Sequence, residues 1–242
     1  MNNTLNNGLA LLTTIADSTR DYGVTELARS MELPKSHVHR LLQSLLDSQL
    51  LDKTDEGRYA LSLGVLKLSR ELLLNLPIRR KAMPAMVALR SQTDLDLTLA
   101  VPHQGEAISV MHFLGSGQLI DSAESLGTVL TITRSASGKL FLAHESTETQ
   151  QLVVAGLFPE EDQRFAFHQT LANIRQEGYS LREPFKPHNS NSFAVPVFDA
   201  SGHAVAAVGA FGALTPELLA DLLPVFQNTA QSIQNNLDQE TA

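Results

Sequence analysis

The chain has 242 residues, 43% apolar and 18% charged, enough for one large domain or two modest ones with a real core. It contains no cysteine, which excludes disulfides, thiolate zinc sites and a cysteine nucleophile. A formal net charge of −8 gives no global reason to expect nucleic acid, so any such reading must rest on a local motif. The opening MNNTLNNGLALLTT lacks the basic and long apolar regions of a secretion signal, and no apolar run is long enough to span a membrane. A cytoplasmic protein without membrane contact is expected.

Residues 1–62 read as three helices and a hairpin. Leu5, Leu9, Leu12 and Ile15 recur at helical spacing and define a first amphipathic helix. DSTRDYG breaks it, and VTELARSM follows with Thr25 placed as N-cap and Glu26 in the first turn. MELP connects to a third helix whose first turn Pro34 can occupy. LLDKTDEGRYALS then alternates around the turn DEG as a two-stranded wing would. Residues 63–77 form a further helix, with Lys67, Arg70, Arg79, Arg80 and Lys81 clustered around it and only Glu71 opposing, so it is expected to link two domains.

From 78 to 242 helices and strands mix. A helix RRKAMPAMVALRSQ precedes strands DLTLAVP and AISVMHFLG, joined at HQGE; QLID and TVLTITR look like further short strands. Helices are expected at 137–144, 147–155 and 165–177, then strands GYSLRE, NSFAVPVFD and AVAAVGAFG, with DASG as a turn. A last helix starts at the pair Thr215-Pro216. Strand pairs joined by short turns imply an antiparallel sheet flanked by helices, an α+β fold.

The third helix carries the chemistry. With about 100° per residue, Val38, Leu41, Leu42, Leu45 and Leu46 make one apolar stripe, while His37 and His39 fall on opposite flanks. Two ligands on a helix need a spacing of three or four, so these histidines cannot share a metal. No metal site and no cofactor is expected. What remains is a polar shoulder of Lys35, Ser36, His37 and Arg40, with His39 at its edge. A recognition helix presents such groups to the major groove, Arg to guanine and short polar groups to phosphates or base edges. A solvated face on an ordinary helix is the alternative. Thr25 near the preceding helix start and Arg58 from the wing would add phosphate contacts. Six bases against eight acids leave residues 1–62 at −2, so one copy should bind DNA weakly and a pair of copies should bind better.

GVTELARSMELPKSHVHRLLQSLLDSQLL, with the wing GRYALSLGVLKL, resembles the N-terminal domain of the IclR family of bacterial transcription regulators. SASGKLFLA, IRQEGYS and FAVPVFDASGHAVAAVGAFG resemble its effector domain, in order and at matching spacing. The resemblance implies a winged helix-turn-helix over 1–62, a linker helix over 63–77 and a GAF-like effector domain over 78–242. It also implies a non-enzymatic protein that binds a double-stranded operator as a dimer or dimer of dimers and takes a small-molecule effector. The positions matching the effector pocket are Leu130, Ala136, Ser137, Arg182, Ser192, Gly209 and Phe211. Relatives that bind small oxo-acids carry an acid at Arg182, a cysteine at Ser192 and serines at Gly209 and Phe211, so their effectors do not transfer. Arg182 suits a carboxylate or phosphate, and the helix-start amides could add donors, which points to an organic acid or sugar acid. Its bland alternative is a solvent-facing Arg182 or a pair with Glu183.

Other motifs fail on spacing. SASGK lacks the glycine and the final Ser or Thr of a phosphate-binding loop, and no GxSxG elbow is present. The runner-up reading is a GAF-type metabolite sensor or enzyme whose helix-turn-helix meets protein.

Overall fold

The computed structural model describes residues 3–18, 20–115, 126–185 and 190–238. The chain divides into two compact units, Met1–Asn75 and Leu76–Ala242.

The first unit holds α1 (Asn3–Ala16), α2 (Val24–Ser30), α3 (Lys35–Asp47), a hairpin of β1 (Leu51–Lys53) and β2 (Tyr59–Leu61), and α4 (Gly64–Asn75). Leu11, Ile15, Leu27, Val38, Leu41, Leu42, Leu51 and Tyr59 form its core. The expected stripe on α1 is turned: Leu11 and Ile15 are buried, whereas Leu5 and Leu9 are 59% and 53% exposed. Leucines at 5, 9, 11 and 12 make this helix apolar on more than one side. Packing chooses the side of Gly8, which faces Leu41 of α3.

The start of α2 also differs from expectation. Gly23 is the N-cap, and Thr25 is already the second helical residue. The Glu26 carboxylate accepts the Gly23 N–H at 2.8 Å, which removes the need for a Thr25 cap. Glu26 also receives Arg20 at 3.0 Å and Arg58 at 2.8 Å. Arg58 in turn donates to the Asp21 carbonyl, at 2.6 Å through Nη2 and 3.1 Å through Nε. One carboxylate thus ties the loop, α2 and the wing together. Glu32 adopts the left-handed region (φ 53°) in the α2–α3 turn. Pro34 is the N-cap of α3 and not part of its first turn: its ψ of 138° is extended, and its carbonyl accepts the amides of His37 and Val38.

The second unit contains α5 (Pro77–Arg90), β3 (Asp96–His103), β4 (Glu106–Phe113), β5 (Val129–Leu130), α6 (Ala136–His144), α7 (Thr147–Leu157), α8 (Glu161–Glu177), β6 (Ser180–Phe185), β7 (Ser190–Phe198), β8 (Ala204–Gly212) and α9 (Pro216–Asp238). Gln104 (φ 49°) and Gly105 (φ 83°) make the tight β3–β4 turn. TVLTITR shortens to the two residues of β5, because Thr131 and Ser135 are drawn into the cap that opens α6: Ser135 Oγ accepts the Gly138 N–H and donates to the Thr131 carbonyl, each at 2.9 Å. Helix α8 begins four residues before the expected Phe165, with Glu161 and Asp162 in its first turn. Thr215 caps α9, accepting the Leu218 N–H at 3.2 Å. QLID lies outside the described residues.

Six strands form one antiparallel sheet in the order β5-β4-β3-β8-β7-β6. Helices α5 and α9 cover one face through Leu97, Leu99, Phe113, Phe193, Val195, Val208 and their neighbours. Helix α6 lies on the other, against Ala100, Ala107, Ala194 and Ala207. Two cross-strand rows on the α6 face are Arg182–Ser192–Phe211–Asp96 and Ser180–Ala194–Gly209–Thr98–His112. A side chain at Gly209 would come within 3.0 Å of the Phe193 carbonyl oxygen and 3.1 Å of Thr98 Cγ2. Small residues therefore hold this face close to α6 and leave space where the helix begins. Among the described residues no helix is long and apolar enough to cross a membrane.

The Glu26 network carries a pH dependence. The Gly23 N–H, then Arg20 and Arg58, hold its carboxyl down at about 2, below the ordinary 4.5. A lowered folded-state value stabilises the first unit above pH 4.5, and that contribution is lost as pH falls from there through about 2. Carboxyl-carbon NMR should give a Glu26 midpoint near 2, and E26Q should remove this part of the acid destabilisation; a midpoint near 4.5 would contradict the network.

Candidate functional site

Two surfaces carry the chemistry, one in each unit. At the start of α3, Lys35, Ser36, His39 and Arg40 are exposed, and so is Thr25 in the first turn of α2. His37 is half-buried and differs from the others. Arg40 Nη2 lies 3.2 Å from His37 Nδ1, and the Asn7 side-chain amide lies 3.5 Å from Nε2. A guanidinium only donates, so Nδ1 accepts; the proton of the neutral ring then sits on Nε2, facing the Asn7 amide oxygen once that amide is turned to match. His37 is thus a bracket between α1 and Arg40, fixing the direction of the guanidinium.

Arg58 does not point outward from the wing. Its guanidinium is spent on Asp21 and Glu26, and its side chain is 33% exposed. The wing's exposed cation is Lys53, whose ammonium lies 5.7 Å from the centre of the Tyr59 ring. The strand alternation could have revealed it, since Lys53 and Tyr59 are a cross-strand pair.

In the second unit a cavity of about 200 Å³ lies between the start of α6 and the sheet. Leu130, Ala136, Ser137, Arg182, Ser192 and Phe211 all line it. Gly209 does not; it contributes by letting Thr98 and Phe193 close in behind the wall. Thr98, Ser109, Thr128, Ser135 and Asn191 also line the cavity, and the sequence reading missed them. They come from β3, β4, the segment before β5, the N-cap of α6 and β7, and only strand register and the packing of α6 on the sheet bring them together.

The lining is polar in a directed way. Ser137 and Ser109 are almost fully buried, and the Thr98 and Ser109 hydroxyls are 3.1 Å apart. The α6 cap engages the Gly138 amide, so Ala136 and Ser137 bring the positive end of the helix dipole to the wall. Asn191 Nδ2 donates to the Leu214 carbonyl at 3.1 Å, which fixes the amide's orientation. Its Oδ1 is buried and has no hydrogen-bond partner among the described residues. A buried acceptor of this kind calls for a donor from a guest. Among the described residues Arg182 is the one charged residue in the lining. Behind Phe211 stands buried His112, stacked on it at 5.3 Å between ring centres, with Nε2 3.9 Å from Asp96 Oδ2. A wider groove of about 640 Å³ also bordered by Phe211 carries Asp94 and Asp96 and, among the described residues, no cation, the wrong sign for an acid. Among the described residues no group of three or more His, Cys, Asp or Glu could hold a metal ion.

Comparison with known proteins fits this division into two sites. Residues 4–55 match the IclR helix-turn-helix domain, and residues 70–235 match the bacterial transcriptional regulator IclR C-terminal domain. The chain is 26% identical to the p-hydroxybenzoate hydroxylase transcriptional activator of Acinetobacter baylyi over 94% of its own length and 89% of the relative's. It is 26% identical to the transcriptional repressor IclR of Escherichia coli, over 87% and 80% of the two chains. An IclR homolog from Microbacterium hydrocarbonoxydans, solved in complex with 4-hydroxybenzoate, shares the fold with a TM-score of 0.80 at 20% identity, covering 98% of this chain and 99% of that one. The chain belongs to the IclR family of bacterial transcriptional regulators, as a DNA-binding regulator and not an enzyme.

Proposed function

We propose that this protein is a cytoplasmic regulator that binds a palindromic operator as a homodimer, or a dimer of dimers, and releases or re-seats on it when a small organic acid fills the α6 cavity. The observation that carries this reading is the cavity's charge pattern. One guanidinium and a helix N-terminus border a partly open space otherwise lined by hydroxyls, apolar carbon and one unmatched acceptor. That combination suits a monocarboxylate with a hydroxyl on its far side. Drug-sized ligands occupy roughly 300–1,000 Å³. A cavity of about 200 Å³ therefore selects a smaller metabolite. The relative named as the transcriptional activator of p-hydroxybenzoate hydroxylase and the homolog solved with 4-hydroxybenzoate support an acid of this class.

Lys35, Ser36 and Arg40 would read the operator, with His39 and Thr25 at the edges and His37 aiming Arg40. Arg58 would contribute only as a support for the wing. The −2 charge of residues 1–62 makes a second copy necessary for useful affinity, since phosphate contacts then double. Helix α4 offers a surface for it: no residue of α4 is buried, and Leu66, Leu68, Leu72 and Leu74 are exposed, as are Leu5 and Leu9 on α1. Effector binding would bias two arrangements of the paired second units, and α4 would pass that bias to the helix-turn-helix pair, with a coupling of about 1–3 kcal/mol. Membership of a regulator family favours this reading over a sensor or enzyme whose helix-turn-helix meets protein.

Three outcomes are expected. In gel shifts against operator variants, R40A should lose about 1–3 kcal/mol, concentrated at one base position; a uniform loss over all sequences would make Arg40 a phosphate contact. In calorimetry with 4-hydroxybenzoate and related hydroxy acids, R182A should bind about tenfold or more weakly than the native chain; equal affinities would remove Arg182 from the site. Replacing Leu66 and Leu72 together by Glu should shift the protein to monomer in sedimentation equilibrium, and an unchanged oligomer would exclude α4 as the interface.

A further inference from the structure

The polar side of α3 continues past the residues assigned so far. At about 100° per residue, Ser36, Arg40, Gln43 and Asp47 share a sector about 60° wide. All four are exposed, while Val38, Leu41 and Leu42 are buried on the other side of the helix. A helix lying in the major groove reads bases with residues three or four and then seven positions apart. Arg40 and Gln43 stand four and seven positions beyond Ser36. Gln43 is therefore placed where the next base contact after that of Arg40 falls.

The amide of Gln43 is held in one orientation. Its Nε2 donates to Asp47 Oδ1 at 2.9 Å, one turn further along the helix. A carboxylate only accepts, so the nitrogen and not the oxygen of the amide must face Asp47. This leaves Oε1 and the second N–H of Nε2 for another partner, an acceptor and a donor side by side. In the major groove adenine shows the matching pair, the N6 donor beside the N7 acceptor. Guanine shows two acceptors there and cytosine only a donor, and neither satisfies both atoms. Three residues of helix rise about 4.5 Å against about 3.4 Å per base pair, which sets Gln43 one or two steps from the base met by Arg40.

We propose that Gln43 is a further specificity-determining residue, reading an adenine close to the guanine of Arg40, and that Asp47 positions its amide. The proposal rests on the operator-reading face described under the proposed function. It adds a second braced side chain to that face: His37 directs Arg40, and Asp47 directs Gln43. As an acid, Asp47 also ends the contact, since its carboxylate repels the phosphates beyond. A Gln–Asp pair four residues apart that served only to stabilise the helix would leave base preference untouched.

The test is selection of binding sites from a random duplex pool by the full chain and by its Q43A, D47A and D47N variants. The native chain is expected to select an A·T pair one or two steps from the G·C pair whose preference R40A removes. Q43A should lose about tenfold or more of the preference at that A·T pair and keep the others. D47A should lose part of it and D47N should keep it, because an asparagine oxygen still accepts from Gln43. Both Asp47 variants remove the same charge, so a general gain in DNA affinity cancels between them. A native profile that survives Q43A, or a loss in Q43A spread evenly over all positions, overturns the assignment of Gln43 and leaves the operator reading standing. Equal profiles for D47A and D47N overturn the positioning role of Asp47. A native chain that selects no sequence overturns the operator reading itself, and this assignment with it.

Discussion

The effector unit depends on a steric constraint: one face of its sheet is built from residues too small to fill the space under α6. Ala100, Ala107, Ala194, Ala207 and Gly209 let the helix sit close, while the opposite face takes Leu, Val and Phe against α5 and α9. Close packing tolerates voids poorly, so an uneven distribution of volume across a sheet concentrates the free space in one place. Here that place is the N-terminus of α6, where the backbone already offers positive potential. The cavity and its electrostatics thus share one cause.

In the DNA-binding unit the comparable role falls to Glu26. A module of this size has a small core, and a single carboxylate joining a loop amide and two guanidiniums supplies order that apolar burial alone does not. This explains why Arg58 is unavailable to DNA. A guanidinium that completes a hydrogen-bond network between the wing and α2 cannot also serve an operator phosphate without breaking that network. The Asn7–His37–Arg40 chain follows the same logic: a long flexible side chain is held in one direction, which would lower the entropy lost on binding at the proposed reading face.

The charge of residues 1–62 bears on these arrangements. At −2 they resist non-specific attachment to DNA, and Lys35 and Arg40 at the α3 N-terminus are among the basic groups they expose. Weak single modules favour recognition that needs two correctly spaced half-sites. Under the proposed function the exposed leucines of α4 and α1 would pair such modules, and a change in the pairing geometry would alter operator affinity without touching any base contact.

The sequence by itself determined what depends on local pattern. The apolar stripe of α3, the β3–β4 hairpin at Gln104-Gly105 and the Thr215 cap are consequences of spacing and turn chemistry, and they stand in the structure as read. Likeness to the family carried the matching effector positions, six of which share a cavity. Tertiary structure decided everything in which neighbours compete. It chose Leu11 over Leu5 and Leu9, gave the α2 cap to Gly23 and Glu26 in place of Thr25, and turned Arg58 inward. It gathered Thr98, Ser109, Thr128, Ser135 and Asn191 around one space. The physical reason is that periodicity fixes which face a side chain occupies, whereas its partner is set by strand register and packing, which join residues about a hundred positions apart.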